Sequence, residues 1–279
     1  MKVILKNSSL QFETASGIPQ EMNLYFEKLS NVPTKLQKEA FANFYKTLKN
    51  AGLWSNIKCF LPMFGSDVQD CKFAIIGDDI NIPNGATYDN GLSLLSGSGG
   101  IGPSGKGVKL YEYEYTLIPN EVTIIAATSK NTGSKGIPLI EFSEHDCDST
   151  STNDTSFEMW QAYYSNTEHC YPGSLRVTSV SDARVPHVLA FTNKIIEEGV
   201  SAESKCFEDG TLVFNKLYSA GGKITQARQF WKFYSGRKAY LPDTGGFNMV
   251  LIFDVALTET KIQEVSDAVK KLQNVLFVE

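Results

Sequence analysis

From Val108 to Phe253 the chain is a succession of short apolar or alternating segments with no long helical pattern between them. Tyr111–Tyr115 alternates with period two, and Val122–Thr128, Ile137–Phe142, Phe157–Tyr164, His187–Thr192, Thr211–Phe214, Phe230–Tyr234 and Phe247–Phe253 repeat the theme. Gly, Asn, Asp, Ser and Pro separate them, which is the spacing of strands and turns. Parallel strands need crossover connections of a dozen residues or more, and no such helices intervene, so the strands form antiparallel sheets. The class this predicts is mainly β, a sandwich or jelly roll.

Helices sit at the two ends. Leu36, Ala40, Phe44 and Leu48 recur every four residues, with Lys35, Lys38, Glu39, Lys46 and Lys49 on the other face. That predicts an amphipathic helix over 33–51, with Pro33 in its first turn and Gly52 as its stop. A shorter helix is predicted over 20–29, carrying Met22, Tyr25, Phe26 and Leu29. Near the end, Thr258 suits a cap and Ile262, Val265, Val269 and Leu272 form one stripe, which predicts a helix over 259–273. Residues 2–13 read as two extended pieces about the turn-like Asn7-Ser8-Ser9. The segment 84–107 is rich in Gly and Ser and reads as a flexible loop or tight hairpin connection. It is not a phosphate loop, because Gly105-Lys106 is followed by Gly107 and not by Ser or Thr.

Charge narrows the partners. With 26 basic and 31 acidic residues the net charge is −5, so nothing favours phosphate neutralisation and nucleic acid is not an expected partner. No apolar run approaches the ~20 residues of a membrane span, so no membrane insertion is expected. The five cysteines are scattered, with no Cys-x-x-Cys, and read as buried free thiols and not as a disulfide framework.

Candidate chemistry is sparse. Glu144, Asp146 and Asp148 alternate as carboxylates do along one strand face, about 7 Å apart, but the run enters Ser149–Thr155 and so reads as a loop. As a loop it is either a solvated acidic turn or a source of hard oxygen ligands for Ca²⁺; no other cofactor is expected. Glu112 and Glu114 give a second carboxylate pair without a third acid. The His/Cys neighbours His145–Cys147 and His169–Cys170 lack the ordered four-ligand spacing of a zinc site. For glycan binding the chain needs aromatic faces that stack on sugar rings. Trp160, Tyr163, Trp231 and Tyr234 are the candidates, with core packing as the competing role of each.

Two motifs point to a family. Phe253-Asp-Val-Ala-Leu-Thr-Glu-Thr-Lys-Ile resembles the closing strand and helix of laminin-G-like, concanavalin A-like sandwiches, and Phe207-Glu-Asp-Gly-Thr-Leu-Val resembles their hairpin. Phe44–Gly65, with its Gly-Leu-Trp and Leu-Pro-Met-Phe-Gly, resembles the segment that precedes this sandwich in virion proteins of crAss-like and related phages of gut Bacteroidetes. The resemblance spans about residues 40–275. It implies an antiparallel concanavalin A-like/laminin-G-like jelly-roll sandwich over 56–279 with a short C-terminal helix, preceded over 1–55 by a strand-helix attachment segment. It also implies a non-catalytic structural or appendage protein of the virion, made in the host cytoplasm. Its implied partners are other virion proteins, further copies of itself (a homo-oligomer such as a trimer) and a host surface glycan. The alternatives are a stand-alone lectin-like module and, less favoured, a glycoside hydrolase of the same fold.

Overall fold

A computed structural model describes the backbone at residues 3–4, 11–12, 17–82, 86–88, 92–95, 108–112, 120–128, 137–143, 155–161, 169–172, 177–178, 185–197, 200–219, 230–233 and 244–277. In chain order the elements are β1 (Val3–Ile4), β2 (Gln11–Phe12), α1 (Gln20–Lys28), α2 (Lys35–Asn50), β3 (Ile57–Leu61), β4 (Ala86–Tyr88), β5 (Leu92–Leu95), β6 (Val108–Glu112) and β7 (Glu121–Thr128). They continue as β8 (Ile137–Ser143), β9 (Thr155–Gln161), β10 (His169–Pro172), β11 (Val177–Thr178), β12 (Val188–Glu197), β13 (Ser201–Glu208), β14 (Thr211–Ser219), β15 (Phe230–Phe233), β16 (Thr244–Phe253) and α3 (Glu259–Leu276).

All strand pairings among the described residues are antiparallel, as the sequence predicts. One sheet has eight strands in the order β14-β13-β12-β7-β16-β5-β4, with β3 also paired to β16. The other has six, in the order β11-β10-β9-β8-β15-β6. β1 and β2 pair with each other, joining the two extended N-terminal pieces. Inside the Gly- and Ser-rich segment β4 and β5 pair as a hairpin. The described residues therefore form a mainly antiparallel β-sandwich with three α-helices.

The central strands are buried on both faces, which explains their near-continuous apolar character. One face presents Phe60, Ile125, Ala127, Val188, Ala190, Phe207, Met249, Leu251 and Phe253 to a core shared with the helices. The alternate residues Cys59, Leu61, Ile124, Ala126, Leu189, Phe191, Cys206, Val250 and Ile252 are buried as well. On that side the six-stranded sheet lies against the eight-stranded one, through β8 on β16 and β6 on β3. The layers are thus helices, large sheet, small sheet.

The helices form where capping and stripe coincide. Thr34 caps α2, which leaves Pro33 just ahead of the cap and not in the first turn: the Thr34 Oγ1 accepts from the Gln37 amide and Gln37 Oε1 accepts from the Thr34 amide, a reciprocal capping box. At the other end Gly52 has φ +75°, its N–H donates to Lys49 O and the Leu53 N–H to Leu48 O, the Schellman arrangement that only a left-handed residue closes without strain. Phe41, Phe44, Tyr45 and Leu48 are buried in the chain's own core, with Phe44 packed on Phe60 and Tyr45 edge-on to Trp54. The apolar stripe of α2 therefore finds its cover within the subunit, while Leu36 at its start stays 64% exposed. Thr258 caps α3 by accepting from the Lys261 amide, and the helix runs three residues beyond the expected end. Among the described residues no helix is long and apolar enough to cross a membrane.

Candidate functional site

The densest cluster of titratable side chains among the described residues lies where the β13–β14 hairpin meets α3. Asp209 and Gly210 form the two-residue turn, with φ of 53° and 86°. Two successive positive φ values define the type I′ geometry that Asp-Gly favours and that matches the strand twist. The turn is pinned to β12 by its backbone: the Asp209 N–H donates to Val188 O and the Val188 N–H to Asp209 Oδ1, at 2.7 and 2.9 Å. His187 Nδ1 lies 2.9 Å from Asp209 Oδ2 and 3.7 Å from Glu208 Oε1. From α3, Lys270 Nζ reaches Asp209 Oδ1 at 2.8 Å.

The two carboxyls respond in opposite senses. Burial pushes Glu208 above its ordinary value, with the Asp209 charge adding to the rise while His187 and Lys270 oppose it. Burial works against Asp209 ionisation too, but hydrogen bonds from His187, Lys270 and the Val188 amide outweigh it and hold its carboxyl at about 2. The ligand atoms of His187, Glu208 and Asp209 all lie within 4.8 Å of one another, a donor set that suits a transition metal. Both Asp209 oxygens are, however, already committed, Oδ2 to His187 and Oδ1 to Lys270 and the Val188 amide. A cation there would meet the lysine charge and break the His187–Asp209 contact. The cluster is an ion-paired lock that holds the hairpin under α3. Sequence reading found the hairpin but not the lock, because His187, Asp209 and Lys270 are far apart in the chain and no local motif joins them.

A second buried carboxylate is structural. Asp70 accepts from the Ser30 amide and hydroxyl at 2.8 and 2.7 Å and from the Ser66 amide at 2.7 Å. Burial opposes its ionisation, yet these bonds hold it below the usual range. It ties the end of α1 to the loop after β3. Burial pushes the Cys59 and Cys71 thiols up to about 12, so neither is a nucleophile at neutral pH. Cys59, Cys71 and Cys206 are buried, as expected of them. Cys147 lies outside the described residues.

Of the residues singled out from sequence, Trp160 and Trp231 are described, and both fall on the other sheet. Glu144, Asp146, Asp148, Tyr163 and Tyr234 lie outside the described residues. Trp160 stands on β9, in register with His169 of β10 and Pro138 of β8. Trp231 stands on β15, in register with Tyr111 of β6 and Phe142 of β8. Both tryptophans are thus on strands of the six-stranded sheet, on the two sides of β8. The third, Trp54, is buried against Tyr45.

This architecture defines a class, the helix-backed antiparallel β-sandwich. No protein-family model and no curated protein matches the sequence. Among solved structures the fold is similar to that of Trypanosoma rangeli sialidase, at 11% identity and a TM-score of 0.52, covering 82% of this chain and 38% of that one. The same sialidase in complex with sialic acid matches at 12% identity and 0.51, covering 82% and 38%. The binding domain of Paraclostridial Mosquitocidal Protein 1 matches at 9% identity and 0.50, covering 77% and 52%. The chain spans between about a third and two-fifths of the sialidases' length.

These matches bear on the sandwich and on nothing finer. They lend no support to the phage or laminin-G resemblance. They also correct the expectation of a non-catalytic chain, which came with that resemblance. The shared sandwich is one that sialidases, which are enzymes, use as well as a toxin binding domain, so the fold does not place the chain outside enzymes.

Proposed function

We propose that this chain is a carbohydrate-binding virion protein of the concanavalin A-like/laminin-G-like kind, made in the host cytoplasm and assembled into the particle. Its six-stranded sheet meets a host surface glycan, and its helical end meets neighbouring virion subunits. Trp160 and Trp231, with Tyr163 and Tyr234, supply the stacking faces for sugar rings. Glu144, Asp146 and Asp148 supply oxygen ligands for a Ca²⁺.

The observation that carries the reading is the division of the two sheets. The helices contact strands of the eight-stranded sheet, whereas Trp160 and Trp231 stand on the six-stranded one. The likeness of the sandwich to a sialidase in complex with sialic acid supports a sugar as the ligand class. The test is a glycan panel probed with the full chain and with Trp160→Ala and Trp231→Ala, with and without Ca²⁺. Binding to a defined glycan that falls about tenfold or more in either variant is expected, by the size of a lost aromatic stacking contact. Binding that both variants retain would move the site elsewhere. The same incubations are scored for released sugar, which reports directly on hydrolysis.

A further inference from the structure

We infer that the six-stranded sheet takes a neutral sugar and turns away one that carries a carboxylate, because register sets Glu158 and Glu141 directly opposite each other on the face that also carries Trp160. This rests on the glycan reading above and narrows it to one face and one class of sugar.

Alternation divides the sheet into two sets of positions. Across β9, β8 and β15, register joins Met159, Ile140 and Phe233 in one row and Phe157, Phe142 and Trp231 in another. That set is wholly apolar. Between those rows lies a third: Tyr171 of β10, Glu158 of β9, Glu141 of β8 and Lys232 of β15. Residues paired across antiparallel strands share a face, and successive residues along a strand lie on opposite faces. The charged row is therefore on the face opposite the apolar set. The eight-stranded sheet lies against the six-stranded one through β8 and β6, and a sandwich fills its core from the apolar set of each sheet. The charged row thus belongs to the outer face. Trp160 and His169 are paired two positions along from Glu158 and Tyr171, so they join it. Of the two tryptophans, Trp160 is the one on this face.

The charges along the row are sorted by strand. Like charges directly opposite each other destabilise a sheet, yet Glu158 and Glu141 are so placed. Glu141 has Lys232 across from it on its far side, whereas the register partners of Glu158 are Glu141 and Tyr171. Lys109 of β6 follows Lys232. Strands are about 4.8 Å apart, so the two lysine positions lie roughly 10 and 14 Å from the strand of Trp160, beyond the ~8 Å screening length of physiological salt. The end of the row beside Trp160 is acidic.

That end has the chemistry for hydroxyl groups. An ionised carboxylate only accepts hydrogen bonds, through two oxygens, and adjacent sugar hydroxyls supply paired donors. Bonds of this charge-assisted kind are the strong ones. An indole next to them offers a plane for the apolar face of a sugar ring. A carboxylate on the ligand would bring a third negative charge to the same pair, and that repulsion costs binding. The like-charge pair that weakens the sheet thereby selects the ligand.

The experiment is a panel of matched oligosaccharide pairs, each a neutral chain and the same chain ending in sialic or glucuronic acid. It is probed with the full chain and with Glu158→Gln, Glu141→Gln and Trp160→Ala. The wild type is expected to bind the neutral member of at least one pair about tenfold or more tightly than its acidic partner. Glu141→Gln is expected to shrink that preference about threefold with neutral binding little changed. Glu158→Gln should shrink it too and weaken neutral binding about tenfold, as a charged acceptor becomes a neutral one. Trp160→Ala should weaken both members alike. A changed ratio is not what misfolding produces, since loss of fold lowers both members together. An acidic member bound as tightly as its neutral partner or more so, a preference that neither glutamine variant alters, or binding that Trp160→Ala retains in full would each overturn the inference. The first two leave the glycan reading standing, whereas binding to no member of the panel would overturn both.

Discussion

Lys270 and Asp209 meet at 2.8 Å although one lies two-thirds of the way along α3 and the other is the first residue of a two-residue turn. The contact fastens the β13–β14 hairpin of the large sheet to the helix that covers it. His187 completes the arrangement at 2.9 Å from the other carboxylate oxygen. Asp209→Asn keeps the side-chain shape and tolerates the positive φ, so it isolates the charge. We expect it to lower unfolding stability by about 1–3 kcal/mol, the range for breaking a partly buried, hydrogen-bonded ion pair. Urea denaturation of the two proteins measures it.

The same carboxylate sets part of the acid sensitivity. Its folded-state value of about 2 lies below the ordinary 3.8, so the ionised form stabilises the fold. That contribution is complete at neutral pH and fades as pH falls from about 4 toward 2, with a total of about 2 kcal/mol. Glu208 acts in the opposite direction. Its carboxyl is raised by burial, so its charge costs stability at neutral pH and protonation on acidification relieves that cost. Stability of Asp209→Asn measured against pH should therefore fall less steeply than the wild type across the lower window.

Gly65 is required by close approach and not by its backbone angle. A Cβ there would overlap the Asp70 side chain, which is 2% exposed and held by Ser30 and Ser66. Gly65→Ala should cost about 2–4 kcal/mol, since the clash is with a fixed side chain and its relief would break those bonds. Gly52→Ala, where a Cβ meets nothing but φ is +75°, should cost about 1 kcal/mol. Thermal unfolding of the pair reports the difference.

Ser266 offers a gain. It is fully buried in α3, and its Oγ has no hydrogen-bond partner among the described residues. Ser266→Ala removes a desolvated hydroxyl and improves helix propensity. It should raise stability by about 1 kcal/mol, read as a higher denaturation midpoint.

The helices were legible because their signals are local. Leu36, Phe44 and Leu48 give the period of α2 and Gly52 its end, whereas the Thr34–Gln37 capping box at its start went unread beside Pro33. The Asp209–Gly210 turn was legible for the same reason. What joins these pieces was not. His187 pairs with a residue 22 positions on, Lys270 lies on a third element, and only the β12–β13–β14 register brings them together. The shared burial of α2 and α3 against one sheet face was likewise hidden: an amphipathic stripe states that it will be covered but not by what. A non-catalytic role was inferred from family resemblance, which carries no geometry, and the sialidase-like sandwich removes that inference.

The central claim is sugar binding on the six-stranded sheet, and calorimetric titration of the full chain with a sialic acid-terminated oligosaccharide and with its neutral counterpart tests it most directly. The account predicts saturable heat with at least one of the two, lost in a Trp160→Ala/Trp231→Ala double variant that unfolds like the wild type. No saturable binding to either sugar, or binding that the double variant retains in full, would contradict it.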